Sequence, residues 1–289
     1  MTTARLPTFI LGLAFFWAAT ATAAPLVLVR DGQAQATIVI DSSRYPRTED
    51  LTNKWQTLER TIQNMADELG TYVRKSTAAN LPVVDRQSGA LPPEGVLLHI
   101  GRSAYVDGLL GAELRRIDPT GYIIRATDER NLIIAGQTPE GTEFGTYEFL
   151  ERFVGIRWLM PTEVGEHVPR RSRLSIPRDT DLTDEPAFMQ VPGIAFKPTH
   201  KARARKMRFW TRLNFHHSLV KLFAPQLYKD THPEFYPLKR PDDTKRYVPA
   251  NNKDYRWQPC FTAPGIVDEA ARRIIESLDL NPRIMSYSF

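Results

Sequence analysis

The run GYIIRATDERNLIIAGQTPEGTEFGTYEFLERFVG, residues 121–155, constrains the fold more tightly than any other stretch. TGYIIRAT and NLIIAG are short, rich in β-branched residues and separated by the polar Asp128-Glu129-Arg130, which predicts a pair of strands. A helix follows. Thr138 supplies an N-cap hydroxyl, and Pro139 suits a first helical turn, where a missing N–H costs nothing. Phe144, Tyr147, Leu150 and Val154 recur on one face, and Gly155 ends the helix. Gly141 and Gly145 are four residues apart, which lets the helix lie close to a sheet.

The flanking segments have the same texture. QATIVID (35–41), LPVVD (81–85), GVLLHIGRS (95–103), IRWLMP (156–161) and RLSIP (173–177) read as further strands. A second helix is predicted from about Asp50 to Lys75. Its apolar positions Trp55, Leu58, Ile62, Met65, Leu69 and Tyr72 are spaced 3, 4, 3, 4 and 3 apart. Residues 25–178 are therefore expected to form an α+β domain, a mixed sheet with two packed helices. RDTDLTDEPA (178–187) breaks the pattern and marks a boundary.

At the N-terminus, Arg5 precedes the apolar run FILGLAFFWAA, and Ala21-Thr22-Ala23 follows it. A positive start, a short apolar stretch and a small-residue site predict a signal peptide, residues 1–23, cleaved near Ala23. The run is too short for a membrane anchor, so the mature chain is expected in a periplasm or outside the cell, without a stable membrane span. The single Cys260 excludes an internal disulfide and a multi-thiolate zinc site, so stability must come from the core.

The formal charge is +5, or +4 once Arg5 is removed (37 Lys and Arg against 33 Asp and Glu). Seven of the cations fall in KPTHKARARKMRFWTR, residues 197–212. Nucleic acid is a poor partner for an exported chain. A solvated basic face and a cleft for an acidic substrate are the two remaining readings.

Beyond the boundary, RFWTRLNFHHSL (208–219) reads as a strand running into a loop. Residues 225–259 are long, rich in Pro, Asp and aromatic residues, and aperiodic; loops of that length are often functional. PGIVDEAARRIIESL (264–278) is a helix with Val267, Ala270, Ile274 and Leu278 aligned, and RIMSYSF (283–289) begins a strand. No P-loop, G-x-G-x-x-G or G-x-S-x-G motif is present, which leaves nucleotide chemistry and the serine-hydrolase elbow without support.

Residues 121–169, with their strand pair, G-x-x-x-G-x-x-x-F-L-E helix, Arg157-Trp158 and Pro-bounded exit, resemble a known non-catalytic domain. It is the domain that precedes the barrel in β-hexosaminidase-like and α-glucuronidase-like glycoside hydrolases. LNFHHSL, HPEFYPLKR and QPCFTAPGIVDEA resemble the barrel start of a family of secreted bacterial proteins, the DUF4838 domain. The resemblance implies that residues 186–289 begin a TIM-like (β/α) barrel, left incomplete at Phe289. Its site would lie at the C-terminal ends of the strands. It also implies that the main acidic pair lies beyond Phe289.

Candidate site residues follow from chemistry. His216 and His217 are neighbours and would point to opposite faces of a strand, so they cannot share one metal ion without a kink. One could contact a sugar hydroxyl and the other pack inside, or both could be structural. Glu234, in THPEFYP, is a candidate for one of the two carboxyl groups that glycoside hydrolysis needs; it could equally cap a helix or pair with Lys239 or Arg240. Tyr236 and Trp257 sit in polar segments and are candidates for stacking on a sugar ring, whereas Trp210 and Phe215 read as core. Arg203, Arg205 and Arg212 could hold a uronate carboxylate, or line a solvated face. Glu163 and Glu166 read as structural.

The expected function is that of an exported carbohydrate-active protein, a glycoside hydrolase or part of one, with no cofactor and no metal. Its partner would be an oligo- or polysaccharide, with uronic acid among its candidate sugars. The alternative is a non-catalytic glycan-binding protein of similar architecture.

Overall fold

The computed structural model describes residues 24–44, 62–160, 162–188, 191, 200–209, 218–251, 254, 256–280 and 287. The expected signal peptide, the first part of the helix from Asp50, and the segments holding Trp210, Arg212, Phe215, His216 and His217 lie outside them. So do residues 283–286 and 288–289 of the last expected strand. The chain divides into two compact units, residues 1–156 with 168–185, and residues 157–167 with 186–289.

The first unit is built on β1 (Leu26–Arg30), β2 (Gln33–Ala34), β3 (Ala36–Ile40), α1 (Ile62–Thr77), β4 (Val83–Asp85), β5 (Val96–Ile100), α2 (Ala104–Leu114), β6 (Tyr122–Ala126), β7 (Asn131–Gly136) and α3 (Pro139–Phe149). The chain then leaves for a hairpin of the second unit, β8 (Arg157–Trp158) and β9 (Glu166–His167), and returns for β10 (Leu174–Ile176) and β11 (Asp181–Asp184). Six strands form a mixed sheet in the order β11-β6-β7-β5-β3-β4. Its centre is parallel (β4, β3, β5, β7), and β6 and β11 run antiparallel at one edge. A small antiparallel sheet, β10-β1-β2, completes the unit.

The sheet carries helices on both faces. The register pairs Leu98 with Leu132 and Ile100 with Ile134, whereas His99 pairs with Ile133. Side chains alternate between faces along a strand. Ile123, Ile133 and Ala135 therefore cluster with Val106, Leu110 and Leu114 of α2. Ile134 and Tyr122 face α3, and Ile38 faces α1. Burial on both faces explains why the central strands read as continuous apolar runs.

Two expectations need correction. The sheet packs three helices, not two. The missed helix, α2, is capped by Ser103, whose hydroxyl accepts from the Val106 N–H at 3.2 Å, and Val106, Leu110 and Leu114 form its buried face. Gly108 and Gly111 weaken its helical signature. Second, the stretch taken as a boundary contributes β11, which pairs with β6 from Asp181–Arg125 to Asp184–Tyr122. It is an edge strand, mostly exposed and polar, so it lacks the apolar alternation that marks a strand.

The motif at 138–155 folds as its residues dictate. The Thr138 hydroxyl accepts from the Gly141 N–H at 3.2 Å, and Pro139 starts α3. The last turn, Leu150–Val154, opens to a π-helix, and Gly155 closes it at φ 88°. A Cβ on Gly141 would lie 2.3 Å from the Gly121 carbonyl oxygen, and one on Gly145 would lie 2.9 Å from the Tyr122 Cβ. The helix thus rests on the backbone of the β6 region. Gly141→Ala is expected to cost about 3 kcal/mol, because only backbone stands in the way. Gly108→Ala, where nothing lies within 4 Å, should stabilise by roughly 0.5–1 kcal/mol. Urea unfolding of both variants checks the contrast.

His99 is 3% exposed, with Nε2 2.9 Å from Asn131 Oδ1 and its ring 4.7 Å from that of Tyr105. Burial lowers its pKa from 6.5, opposed by the Asn131 hydrogen bond. The unfolded chain therefore binds a proton that the folded one resists. Stability should be full above about pH 6.5 and fall as the pH drops below it. His99→Gln should remove that part of the pH dependence, measured as urea midpoints between pH 7.5 and 5.

Candidate functional site

The second unit contains, besides β8 and β9, α4 (Lys201–Lys206), α5 (Leu219–Leu222), α6 (Pro225–Tyr228), a single 3₁₀ turn (Pro233–Phe235) and α7 (Ile266–Leu280). Its core is Val220, Leu222, Phe223, Tyr228, Phe235, Tyr236, Trp257, Ala263 and Ile266. The aromatic rings meet at angles. Phe223 and Phe235 lie edge to face at 5.7 Å, and Tyr236 and Trp257 are tilted at 5.4 Å. Such pairs add about 0.5–1.5 kcal/mol each beyond the area they bury. Backbone bonds then tie the long segment together. The Cys260 N–H donates to the Phe235 carbonyl at 2.9 Å, and the Tyr247 N–H to the Pro237 carbonyl at 2.7 Å.

Glu234 stands on this base. It lies in the 3₁₀ turn, next to fully buried Phe235, and is itself partly exposed. No hydrogen bond or ion pair holds its carboxylate among the described residues. The pairings read from the sequence are taken by others. Lys239 lies 4.1 Å above the Tyr247 ring, and the Arg240 N–H donates to Asp243.

Two other carboxylates of this region are committed. Glu269 accepts two hydrogen bonds from Arg272, at 2.7 and 2.8 Å, and one from the Tyr228 hydroxyl at 2.5 Å. The Arg272 bonds hold Glu269 down at about 2, and burial, then Glu269 itself, pushes Tyr228 up to about 12. Neither group exchanges a proton near neutral pH. Asp254 accepts from Tyr247 at 2.6 Å and from Arg256 at 3.2 Å, and the tyrosine bond first of all lowers its pKa. Sequence reasoning missed both constellations. The i,i+3 spacing of Glu269 and Arg272 was visible; their convergence on Tyr228 required the fold.

Tyr236 and Trp257 differ from their reading as stacking residues in polar loops. They are 0% and 5% exposed and pack on each other. The Tyr236 hydroxyl donates to the Phe223 carbonyl at 3.3 Å, and burial pushes its pKa up to about 12. Their sequence neighbours are polar, but their own apolar area closes the core. In α7, Ile266 faces the core with Ala270 and Ile274, while Val267 is 71% exposed, a shift of one residue from the expected face.

The basic run is partly neutralised by its own unit. Arg203 pairs with Glu163 at 2.9 Å and with Glu166 at 3.8 Å, so these carboxylates serve as its partners. Arg205 is 8% exposed and Lys206 lies 5.9 Å from the Trp158 ring. Among the described residues no group of three or more His, Cys, Asp or Glu could hold a metal ion. No helix among them is long and apolar enough to cross a membrane.

Removal of the core rings should be felt as stability. Trp257→Ala is expected to cost about 3–5 kcal/mol and Tyr236→Phe about 1 kcal/mol, read from urea unfolding followed by circular dichroism.

Comparison with known proteins adds the following. Residues 160–289 match a family model described as a domain of unknown function, DUF4838, which bears out the resemblance read from that region. No curated protein matches the chain. Solved glycoside hydrolases are similar over its front part. A family GH115 4-O-methyl-α-glucuronidase with specificity for decorated arabinogalactans is 12% identical, with a TM-score of 0.38, covering 58% of this chain and 19% of that one. The GH20 β-N-acetylhexosaminidase of Streptomyces coelicolor A3(2) is 15% identical, with a TM-score of 0.35, covering 58% and 25%. Streptomyces plicatus β-hexosaminidase gives 15%, 0.34, 58% and 25%. The chain spans a quarter or less of the length of these structures.

Proposed function

We propose that this chain is part of an exported carbohydrate-active protein. In this reading the first unit is a support, and the second begins a (β/α) barrel that binds a glycan and hydrolyses a glycosidic bond. One observation carries it. Residues 121–169, which resemble the domain preceding the barrel of known glycoside hydrolases, use their motif residues for one physical purpose. Thr138, Gly141, Gly145 and Gly155 cap, seat and end a helix laid against a sheet. The groups of this motif are spent on structure, which suits a support.

Glu234 is the residue assigned to the chemistry. A carboxylate on a rigid turn, clear of any described cation, can donate or accept a proton at a glycosidic oxygen. Glycan contacts are assigned to His216, His217 and Arg212, and the acidic partner of Glu234 to a residue outside those described.

A second reading, a glycan-binding protein without turnover, is favoured by a specific observation. Glu269 and Asp254 are both held by arginine and tyrosine, so neither is available to pair with Glu234 in catalysis. Reducing-end release and affinity electrophoresis on a panel of neutral and acidic polysaccharides separate the two. For hydrolysis, Glu234→Gln should retain binding and lower turnover by about 10²–10⁴. Binding without release, weakened by the same change, supports the second reading. Neither binding nor release on any glycan overturns both.

A further inference from the structure

The first unit gathers cations that lie far apart in the chain. The last turn of α1 carries Arg74 and Lys75, β1 ends at Arg30, and the return strand is preceded by Arg170, Arg171 and Arg173. All six are exposed. Backbone bonds bring the three segments together. The Arg171 N–H donates to the Ser76 carbonyl at 2.9 Å, the Ser76 hydroxyl to the Pro169 carbonyl at 2.6 Å, and the Gly32 N–H to the Ser172 carbonyl at 3.1 Å. The pairing of Val29 with Leu174 sets Arg30 beside Arg173. Between the segments is an open groove of about 460 Å³, lined by Asp31, Gly32, Ser76, Thr77, Arg170 and Arg171, among others.

The five arginines are not balanced locally among the described residues. Among the described residues no carboxylate forms an ion pair with Arg30, Arg74, Arg170, Arg171 or Arg173, and Asp31 is the one acid lining the groove. Arg170 uses Nη1 to hold the Lys75 carbonyl at 3.2 Å, which fixes its guanidinium at the rim. Its other N–H groups have no partner among the described residues. Like charges so placed repel one another in the free protein, and a polyanion relieves that repulsion.

We propose that this groove and its rim bind an acidic polysaccharide, one bearing carboxylate or sulfate groups along its length. Two features favour that class. Five of the six cations are arginine, whose planar fork matches carboxylate and sulfate oxygens bidentately. The rim offers no large exposed apolar side chain, which a membrane-surface site would use for insertion. The saccharide nature of the partner rests on the carbohydrate function proposed above; its anionic nature rests on the groove alone. The surface lies wholly in the first unit.

The test uses the whole chain with polygalacturonate, its methyl-esterified neutral form, anionic phospholipid vesicles and duplex DNA as probes, at about 50 mM and 300 mM salt. Polygalacturonate should bind at low salt and weaken at least tenfold at high salt, with the esterified polymer binding at least tenfold less. Arg74→Ala/Arg170→Ala/Arg173→Ala should weaken polygalacturonate binding about tenfold or more at low salt. A control of equal charge, Arg116→Ala/Lys221→Ala/Lys245→Ala, should change it less than threefold. Hydrolysis or binding of neutral glycans should be the same in the triple variant as in the parent chain, which separates this site from the function proposed above. Absence of polygalacturonate binding at low salt, or equal loss in both triple variants, overturns the proposal. DNA or vesicles bound as tightly as polygalacturonate would also overturn it, leaving a general polyanion or membrane surface.

Discussion

The first unit depends on how closely α3 lies against the sheet. Gly136, Gly141 and Gly145 let two backbones approach until a single methyl group would collide with a carbonyl or with Tyr122. The approach brings Phe144, Tyr147, Leu150 and Val154 into full burial. Around it the order is inevitable. With α3 and α1 on one face, the opposite face of β5, β6 and β7 needs its own cover, and α2 provides it. A helix raised by even one methyl group would open a gap along the whole contact, because packed interiors relax only partly.

The second unit is held by a different device. Among the described residues, its long segment between Ala224 and Pro264 forms neither the ladder of a sheet nor the repeat of a long helix. Phe223, Tyr228, Phe235, Tyr236 and Trp257 anchor it from within, and carbonyl groups at Phe235, Tyr236 and Pro237 receive bonds from residues far along the chain. Such a segment is fixed by few, large side chains, so polar residues between them are free to vary in role. Glu234 is the clearest instance, a carboxylate carried on the edge of an aromatic core.

Charge is organised along the same lines. The most basic run in the sequence supplies arginines that serve the unit's own structure, as Arg203 does with Glu163 and Glu166. The arginines that meet at the groove of the first unit come from three separate segments. A count along the chain sees the first group and not the second, because proximity in space comes from strand pairing and from the end of α1.

Much of the first unit was legible in the amino-acid sequence. Strand runs, the capped helix, its glycines and its stop are local features, written in neighbouring residues and obeyed by short-range sterics and hydrogen bonding. Helix α2 and strand β11 were not legible, since glycines blurred one and polar edge residues the other. The aromatic residues of the second unit were legible as a group, but not which of them would be buried. Tyr236 and Trp257 have polar neighbours in sequence and apolar neighbours in space. The sequence by itself determined the periodic elements, the turn chemistry and the presence of a lone carboxylate in a Pro-bounded turn. Only the tertiary structure decided which carboxylates are consumed by arginine and tyrosine, which rings close a core and which cations share a groove. Those outcomes depend on contacts between residues tens of positions apart, and no local pattern encodes them.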